Sequence, residues 1–139
     1  MKWPHGAHAN TFGGNLLACS AGIATLNLMK KKRLGENASR VGKVMIKKLE
    51  EIKDYNEIVG DVRGIGLMLG IEIVKSKKTK ERGIEERKEV LCKASEKGLI
   101  LLSAGMSSIR MSPPLIITKQ QAEQGLDIFE DSVRVVNAS

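Results

Sequence analysis

The segment from residue 66 to residue 74 alternates strictly between two kinds of side chain. One set is large and aliphatic, and the other combines glycines with a methionine and an acid. A period of two is that of a β-strand with one buried face. The segment therefore predicts a sheet that has one apolar face and one open face. The aliphatic set is Leu67, Leu69, Ile71 and Ile73, and the other set is Gly66, Met68, Gly70 and Glu72.

Three other short runs complete the predicted sheet. Val59 to Gly64 predicts a strand and a turn just before the alternating segment, and Leu99 to Leu102 predicts an apolar strand. Ser108 to Ser112 predicts a further strand, which ends at Pro113 and Pro114. We therefore expect a small, mainly antiparallel sheet.

Four helices are predicted around these strands. Leu16 to Met29 is apolar on nearly every side, so we expect a helix that is buried on several faces. From Leu34 to Ile52, apolar residues recur at spacings of three and four, which indicates an amphipathic helix ending at Tyr55. A third helix is predicted from Ile84 to a stop signal at Lys97-Gly98.

The last helix is predicted to begin at a capping box. Thr118 and Gln121 have the residue types and the spacing of this motif. The order of elements then predicts an α+β fold, with helices packed on the small sheet. The buried stripe of the last helix is predicted to be Ala122, Leu126, Phe129 and Val133.

The composition limits the kind of protein that this chain can form. Hydrophobic residues make up 42% and charged residues 28%, which excludes a disordered or collagen-like chain. A length of 139 residues fits one unit, so residues 1–139 are predicted to form a single domain. Aromatic residues are only 3%. The core must therefore be aliphatic, and a base-stacking surface for single-stranded nucleic acid is not expected.

The charge is basic, with 23 Lys and Arg against 16 Asp and Glu, a net charge of +7. Such an excess can bind nucleic acid or other anions. Most of it, however, lies in two runs, Lys30 to Arg33 and Lys75 to Arg82, with acids interleaved around them. Solvated helix ends and loops explain such runs. Nucleic acid is therefore not the expected partner, and a stand-alone basic binding module is kept as an alternative.

The cysteines and histidines indicate neither a disulfide framework nor a metal site. Cys19 and Cys92 are far apart and form no C-x-x-C pair, so both are interpreted as thiols in the core. His5 and His8, which could join Cys19 as ligands, are interpreted as solvated loop residues. No stretch approaches the roughly 18 apolar residues of a membrane span, and no secretion signal is present. A cytoplasmic location is therefore expected.

Thr11 to Asn15 (TFGGN) is the first candidate binding segment. The first dozen residues are predicted to be an extended loop that runs up to this segment, which stands just before the first helix. A hydroxyl and glycines at this place leave backbone N–H groups free where the helix dipole is positive, which suits a phosphate. A plain helix start, capped by Asn15 or Thr11, is the alternative.

Arg110 is the second candidate. An arginine on a short apolar strand can hold a carboxylate through two parallel hydrogen bonds if it faces a cleft. The alternative is an edge-strand arginine in solvent. Glu72 is either a buried acid or a side chain that reaches solvent, and Asp61 and Arg63 are assigned to the turn. No Ser/His/Asp set, P-loop or pair of catalytic carboxylates can be assembled.

Four segments in order carry a resemblance to one family. They are Gly6 to Asn15 with Leu17-Ala18-Cys19 after it, Glu36-Asn37, Gly60 to Glu72, and Ile109 to Leu115. Together they resemble the C-terminal part of the class III pyridoxal-phosphate-dependent aminotransferases, over essentially the full length of the chain. The family includes the 4-aminobutyrate, ornithine and acetylornithine aminotransferases and some amino-acid racemases.

The resemblance implies roles for three residues. Thr11 and Phe12 would bind the phosphate of pyridoxal phosphate in the active site of the neighbouring subunit of a dimer. Arg110 would hold the α-carboxylate of the substrate. The implied reaction is transamination between 2-oxoglutarate and an amino acid such as 4-aminobutyrate or ornithine, with a racemase as the alternative.

The chain also departs from the family. Leu16 stands where the family usually has proline, which the first helical position does not require, and Ala9-Asn10 replace a glycine pair. We expect the family's large domain to be missing, because no segment here resembles it and no lysine here lies in the motif of the lysine that forms the Schiff base. We therefore expect a fragment without catalytic residues that neither binds pyridoxal phosphate tightly nor transaminates alone. Self-association and the missing large domain are its expected partners.

Overall fold

The computed structural model describes residues 4–138. The predicted N-terminal loop includes Met1 to Trp3, which lie outside the described residues. The chain divides into two compact units, an N-terminal unit that ends at Arg33 and a C-terminal unit that begins at Leu34. In chain order the elements are α1 (Leu16–Lys31), α2 (Leu34–Tyr55), β1 (Val59–Ile65), β2 (Met68–Ile73), α3 (Ile84–Glu96), β3 (Leu102–Ala104), β4 (Ser108–Met111) and α4 (Lys119–Asn137).

The four strands form one antiparallel sheet in the order β1-β2-β4-β3. β1 and β2 make a hairpin in which Ile65 pairs with Met68, so Gly66 and Leu67 form a two-residue connection. Gly66 has a φ of +56°, a conformation that other residues rarely adopt. The predicted α+β fold with a small antiparallel sheet is confirmed.

The strand predicted at Leu99 to Leu102 begins about three residues too early, since β3 starts at Leu102. The N–H of Leu99 donates to the carbonyl of Ala94 at 2.9 Å, so the chain at this point still closes the end of α3. Gly98, with a φ of +87°, permits that closure. Pairing with β4 therefore starts only at Leu102.

The core lies within the C-terminal unit, between one face of the sheet and helices α2, α3 and α4. The alternating set of β2 and its turn is buried as predicted, and the stripe on α4 is buried with it. Phe129 is the one aromatic side chain among the described core residues, so the core is aliphatic as expected. Because the helices of this unit cover one face of the sheet, the other face is available for a binding site.

The capping box of α4 is present. Thr118 Oγ1 accepts a hydrogen bond from the N–H of Gln121 at 3.2 Å, and Gln121 Oε1 accepts one from the N–H of Thr118 at 3.0 Å. We predict that Thr118→Ala lowers the free energy of unfolding by about 1 kcal/mol, because the N–H of Gln121 loses its acceptor. Urea denaturation followed by circular dichroism measures the change. Thr118→Ser keeps the hydroxyl and is the control, so an equal loss in both variants would contradict the prediction.

Helix α1 has the predicted position but not the predicted burial. Its last turn carries Lys30 and Lys31, yet no residue of the helix is buried, and Leu16 is 86% exposed. The prediction of burial on several faces is wrong, because residues 4–33 of the N-terminal unit form no core against which an apolar helix can pack. The apolar surface of α1 therefore remains open.

Two loop predictions also need correction. The segment before α1 is not extended, since Ala7 N–H donates to the Pro4 carbonyl and Asn15 N–H to the Phe12 carbonyl in tight turns. The charged segment from Ser76 to Gly83 is not structureless. Its ends are joined where Lys75 N–H donates to the Glu81 carbonyl at 2.8 Å. None of the helices in residues 4–138 is long and apolar enough to cross a membrane.

Candidate functional site

Arg110 lies on an inner strand of the sheet. It pairs with Gly70 of β2 on one side and with Leu102 of β3 on the other, so the edge-strand interpretation is wrong. Its neighbours Ile109 and Met111 are buried in the core, which places Arg110 on the opposite, open face. Within residues 4–138, the guanidinium has no hydrogen-bond or ion-pair partner. It is a cation free to bind an anion.

A cleft of about 330 Å³ lies beside this arginine. Its walls come from the segment that leads into β3, the end of β4 with Pro113 and Pro114, and one side of α4. Of the described residues that line it, Arg110 alone carries a charge. An apolar cleft with one cation suits a small molecule that carries a carboxylate.

A second arginine, Arg63, stands on the same open face but is fully engaged. Its Nη1 is 2.8 Å from Asp61 Oδ2, and its Nη2 is 3.1 Å from Glu72 Oε2. Hydrogen bonds from Arg63 to Asp61 and to Glu72 raise the pKa of the guanidinium. Asp61 and Glu72 pair directly across β1 and β2, where two like charges repel each other. Arg63 therefore neutralises an acidic pair and does more than serve a turn.

Glu72 is neither an isolated buried acid nor a free side chain in solvent. Ser107 donates a short hydrogen bond to Oε1, and Ser108 donates to Oε2 at 2.5 Å. Partial burial acts to raise the pKa of Glu72, but the hydrogen bonds from Ser107, Ser108 and Arg63 outweigh it, and the pKa is lowered. Glu72 is thus held as a carboxylate at neutral pH. The sequence analysis missed both serines, and their position two and three residues before Arg110 was the only signal.

The segment Thr11 to Asn15 ends at the N-cap of α1. Asn15 is the cap, because its Oδ1 accepts from Ala18 N–H at 3.0 Å, and Thr11 is not. Within the described residues, the Thr11 hydroxyl and the N–H groups of Thr11, Phe12 and Gly14 donate to no other group. Gly14 has a φ of +76°, and no acid lies in the first turn of α1. Free donors at a helix start without a nearby acid fit a phosphate group.

The two candidate segments belong to different units of the chain. Thr11 and Phe12 are part of the N-terminal unit, where the Phe12 side chain is 81% exposed, and Arg110 is part of the C-terminal unit. Each segment suits a different kind of anionic group. Thr11 fits a phosphate, and Arg110 fits a carboxylate.

The interpretation of the cysteines as core thiols is wrong. Cys19 and Cys92 are both exposed, since the first lies on the uncovered helix α1 and the second on the outer side of α3. Among residues 4–138, no three His, Cys, Asp or Glu side chains are close enough together to hold a metal ion.

Two lysines of the second basic run bind other groups of this chain. Lys75 forms an ion pair with Glu81 at 2.5 Å, and Lys77 Nζ donates to the Lys53 carbonyl at the end of α2 at 2.5 Å. These contacts fix the loop after β2. The Lys75–Glu81 ion pair also offsets one positive charge that this run could offer to an external polyanion.

Comparison with known proteins gives one consistent result. The sequence profile of the family described as "Aminotransferase class-III" matches residues 1–133. The leucine/methionine racemase of Thermococcus litoralis is 39% identical over 126 residues, which are 91% of this chain and 28% of that protein. The acetylornithine aminotransferase of Caldanaerobacter subterraneus is 39% identical over 126 residues, which are 91% of this chain and 30% of that protein.

A solved structure matches the fold as well. An aminotransferase from Bacillus anthracis superposes with a TM-score of 0.85 at 31% identity, over 92% of this chain and 30% of that one. The chain therefore spans about 30% of the length of the relatives it matches.

Proposed function

The chain belongs to the class III aminotransferases. We propose that it is the C-terminal part, with the small domain, of a transaminase that acts on an amino acid. Members of this family depend on pyridoxal phosphate and are multi-domain, typically oligomeric enzymes. The observation that carries the proposal is the unpaired guanidinium of Arg110, a residue that also lines an apolar cleft. The remaining polypeptide of the enzyme supplies the catalytic lysine.

Arg110 acts on the substrate carboxylate. Its planar fork donates two parallel hydrogen bonds, so that it fixes the orientation of the carboxylate as well as its position. A substrate held in this way presents its Cα in one direction, which lowers the entropy lost on reaching the transition state. The apolar walls of the cleft lower the polarity on one side of the guanidinium, which strengthens the ion pair.

Thr11 and Phe12 hold the cofactor phosphate. The hydroxyl of Thr11 and the N–H groups of Thr11 and Phe12 are free to donate, and the start of α1 adds a positive dipole. Pyridoxal phosphate, when bound, supplies an electron sink for a bond broken at the substrate Cα. These residues therefore fix the cofactor at its phosphate end and take no part in proton transfer.

The phosphate role predicts a loss of cofactor affinity. In the complete enzyme, Thr11→Val removes one hydrogen bond to a charged group, and the dissociation constant for pyridoxal phosphate is expected to rise about tenfold. Titration of the apoenzyme with the cofactor, followed by protein fluorescence, measures it. Thr25→Val is the matched control, since Thr25 is an exposed threonine of α1 whose hydroxyl donates to the Ala21 carbonyl. Equal losses in the two variants would exclude a specific role for Thr11.

The substrate is an amino acid, with 4-aminobutyrate or ornithine as donor and 2-oxoglutarate as acceptor. Similarity to an acetylornithine aminotransferase supports a transaminase. Similarity to a leucine/methionine racemase favours a second candidate, racemisation, because Arg110 can orient Cα for either reaction. Incubation of the complete enzyme with a single L-amino acid distinguishes them, since a racemase produces the D-enantiomer without any keto acid.

The exposed helix α1 is the surface for self-association. Its apolar side chains have no cover within the described chain, and burial against a second copy would remove them from water. This arrangement would also carry Thr11 into the neighbouring active site.

The 139-residue chain alone is proposed to be inactive. The direct test mixes it with pyridoxal phosphate, an amino donor and 2-oxoglutarate, and follows cofactor absorbance and keto-acid formation. We expect no turnover above that of free pyridoxal phosphate. Robust turnover would show that this chain carries a complete catalytic centre.

A further inference from the structure

We propose that Arg63, together with Ser107 and Ser108, holds the Glu72 carboxylate away from Arg110, so that Arg110 keeps an unpaired charge. Arg63 is then a positioning residue that acts through Glu72. Its benefit to catalysis rests on the proposed function, in which Arg110 receives the substrate carboxylate.

The register of the sheet places Glu72 within reach of two arginines. Arg63 and Arg110 both pair with Gly70, one from each side, and all three point to the open face. Glu72 lies two residues further along β2, so it is the diagonal neighbour of both arginines. Diagonal neighbours have Cα atoms about 7–8 Å apart, a separation that long side chains span. The backbone alone therefore gives Glu72 no preference between Arg63 and Arg110.

Asp61 makes Arg63 the preferred partner of Glu72. It pairs directly with Glu72, and the Arg63 fork binds one oxygen of each acid and relieves their repulsion. On the other side of Glu72, β4 places no acid and instead offers the hydroxyl of Ser108. Glu72 is thus drawn to Arg63.

The hydrogen bonds of Glu72 complete the arrangement. Ser107 donates to Oε1, while Ser108 and Arg63 donate to Oε2. Ser107 is 1% exposed, and its carbonyl accepts from Ile73 N–H at 2.9 Å, so its backbone is fixed to the sheet. Gly70 leaves the space between the two arginines without a side chain that could bridge them. Glu72, the carboxylate that the register places diagonally from Arg110, therefore already has three other donors.

The test uses nuclear magnetic resonance on the 139-residue chain without cofactor or substrate. Hydrogen exchange at Nε of Arg110 reports ion pairing directly, because a paired guanidinium exchanges more slowly. In Arg63→Met, Glu72 loses its counter-charge but still faces Asp61, so it is expected to turn to Arg110 and slow this exchange about threefold, the effect of an exposed ion pair. In the double variant R63M/E72Q the exchange rate should return to that of the unaltered chain.

Two further variants keep the outcome decisive. Arg134→Met removes an equally charged, exposed arginine that pairs with Glu130 and Asp131 on α4, and it should leave Arg110 exchange unchanged. Glu72→Gln alone should also have no effect. If R63M folds and Arg110 exchange is unaltered, or if E72Q alone accelerates it, the proposal is wrong. Where R63M fails to fold, the E72Q result decides.

This result does not depend on whether Arg110 binds a substrate. A failed sequestration test would leave the carboxylate role of Arg110 standing. Conversely, the proposed function would be wrong if the complete enzyme preferred carboxylate-bearing substrates equally well with and without Arg110. That outcome would not alter the exchange rates measured here.

Discussion

Gly42→Ala is expected to destabilise the C-terminal unit severely, by about 3 kcal/mol or more in the free energy of unfolding. A Cβ atom at this position of α2 would overlap the carbonyl group of Gly66 and come within 2.8 Å of its Cα. All of these atoms belong to the backbone of the β1–β2 connection, in which Gly66 has a positive φ. The helix and the hairpin must therefore separate, and the core between them loosens. Urea denaturation followed by circular dichroism measures the loss.

Gly35→Ala is the matched control for this prediction. Gly35 lies in the same helix, and a Cβ there would meet nothing within 4 Å. Because alanine favours the helix over glycine, this substitution should stabilise the chain by up to about 1 kcal/mol. If Gly42→Ala is as harmless as Gly35→Ala, the close approach of α2 to the hairpin is not a determinant of the fold.

The sequence predicted the C-terminal unit well because its elements bury one face each. The alternation in β2 and the spacing in α2 and α4 state directly which side chains go inside, and Leu69, Val41 and Phe129 are all buried. Helix α1 shows where this reasoning fails. Its apolar pattern correctly predicts a surface that needs cover, but a pattern does not say whether the cover lies in the same chain. The interpretation of Cys19 as a core thiol was wrong for the same reason.

The candidate site could be predicted only in part. Arg110 and Thr11 stand in segments whose residue types indicate anion binding, and the resemblance to a family assigned them to a carboxylate and a phosphate. The network around Glu72 depends instead on strand register. Asp61, Arg63 and Ser108 meet because β1, β2 and β4 pair in one alignment, and no local pattern encodes that alignment.

Arg110→Met in the complete enzyme is expected to raise the KM for the amino-acid substrate about 100-fold. The variant removes two charge-assisted hydrogen bonds to the carboxylate while keeping an unbranched apolar side chain. The fall in kcat/KM should exceed the rise in KM, because a substrate without this grip no longer holds its Cα in one orientation. Steady-state kinetics with the preferred amino donor measure both effects. Arg110→Lys keeps the charge without the planar fork, so its KM and kcat/KM should lie between those of the unaltered enzyme and those of Arg110→Met.

A primary amine of the same length that lacks the carboxylate separates this role from general damage. It has nothing for the guanidinium to bind, so Arg110→Met should leave its kcat/KM unchanged, and selectivity between the two substrates should fall by the whole loss in kcat/KM for the amino acid, more than about 100-fold. Arg134→Met removes a similar charge from the outer side of α4 and should preserve that selectivity. If Arg110→Met slows both substrates equally, the arginine supports the fold of the cleft, and the carboxylate must be held by a group on the large domain.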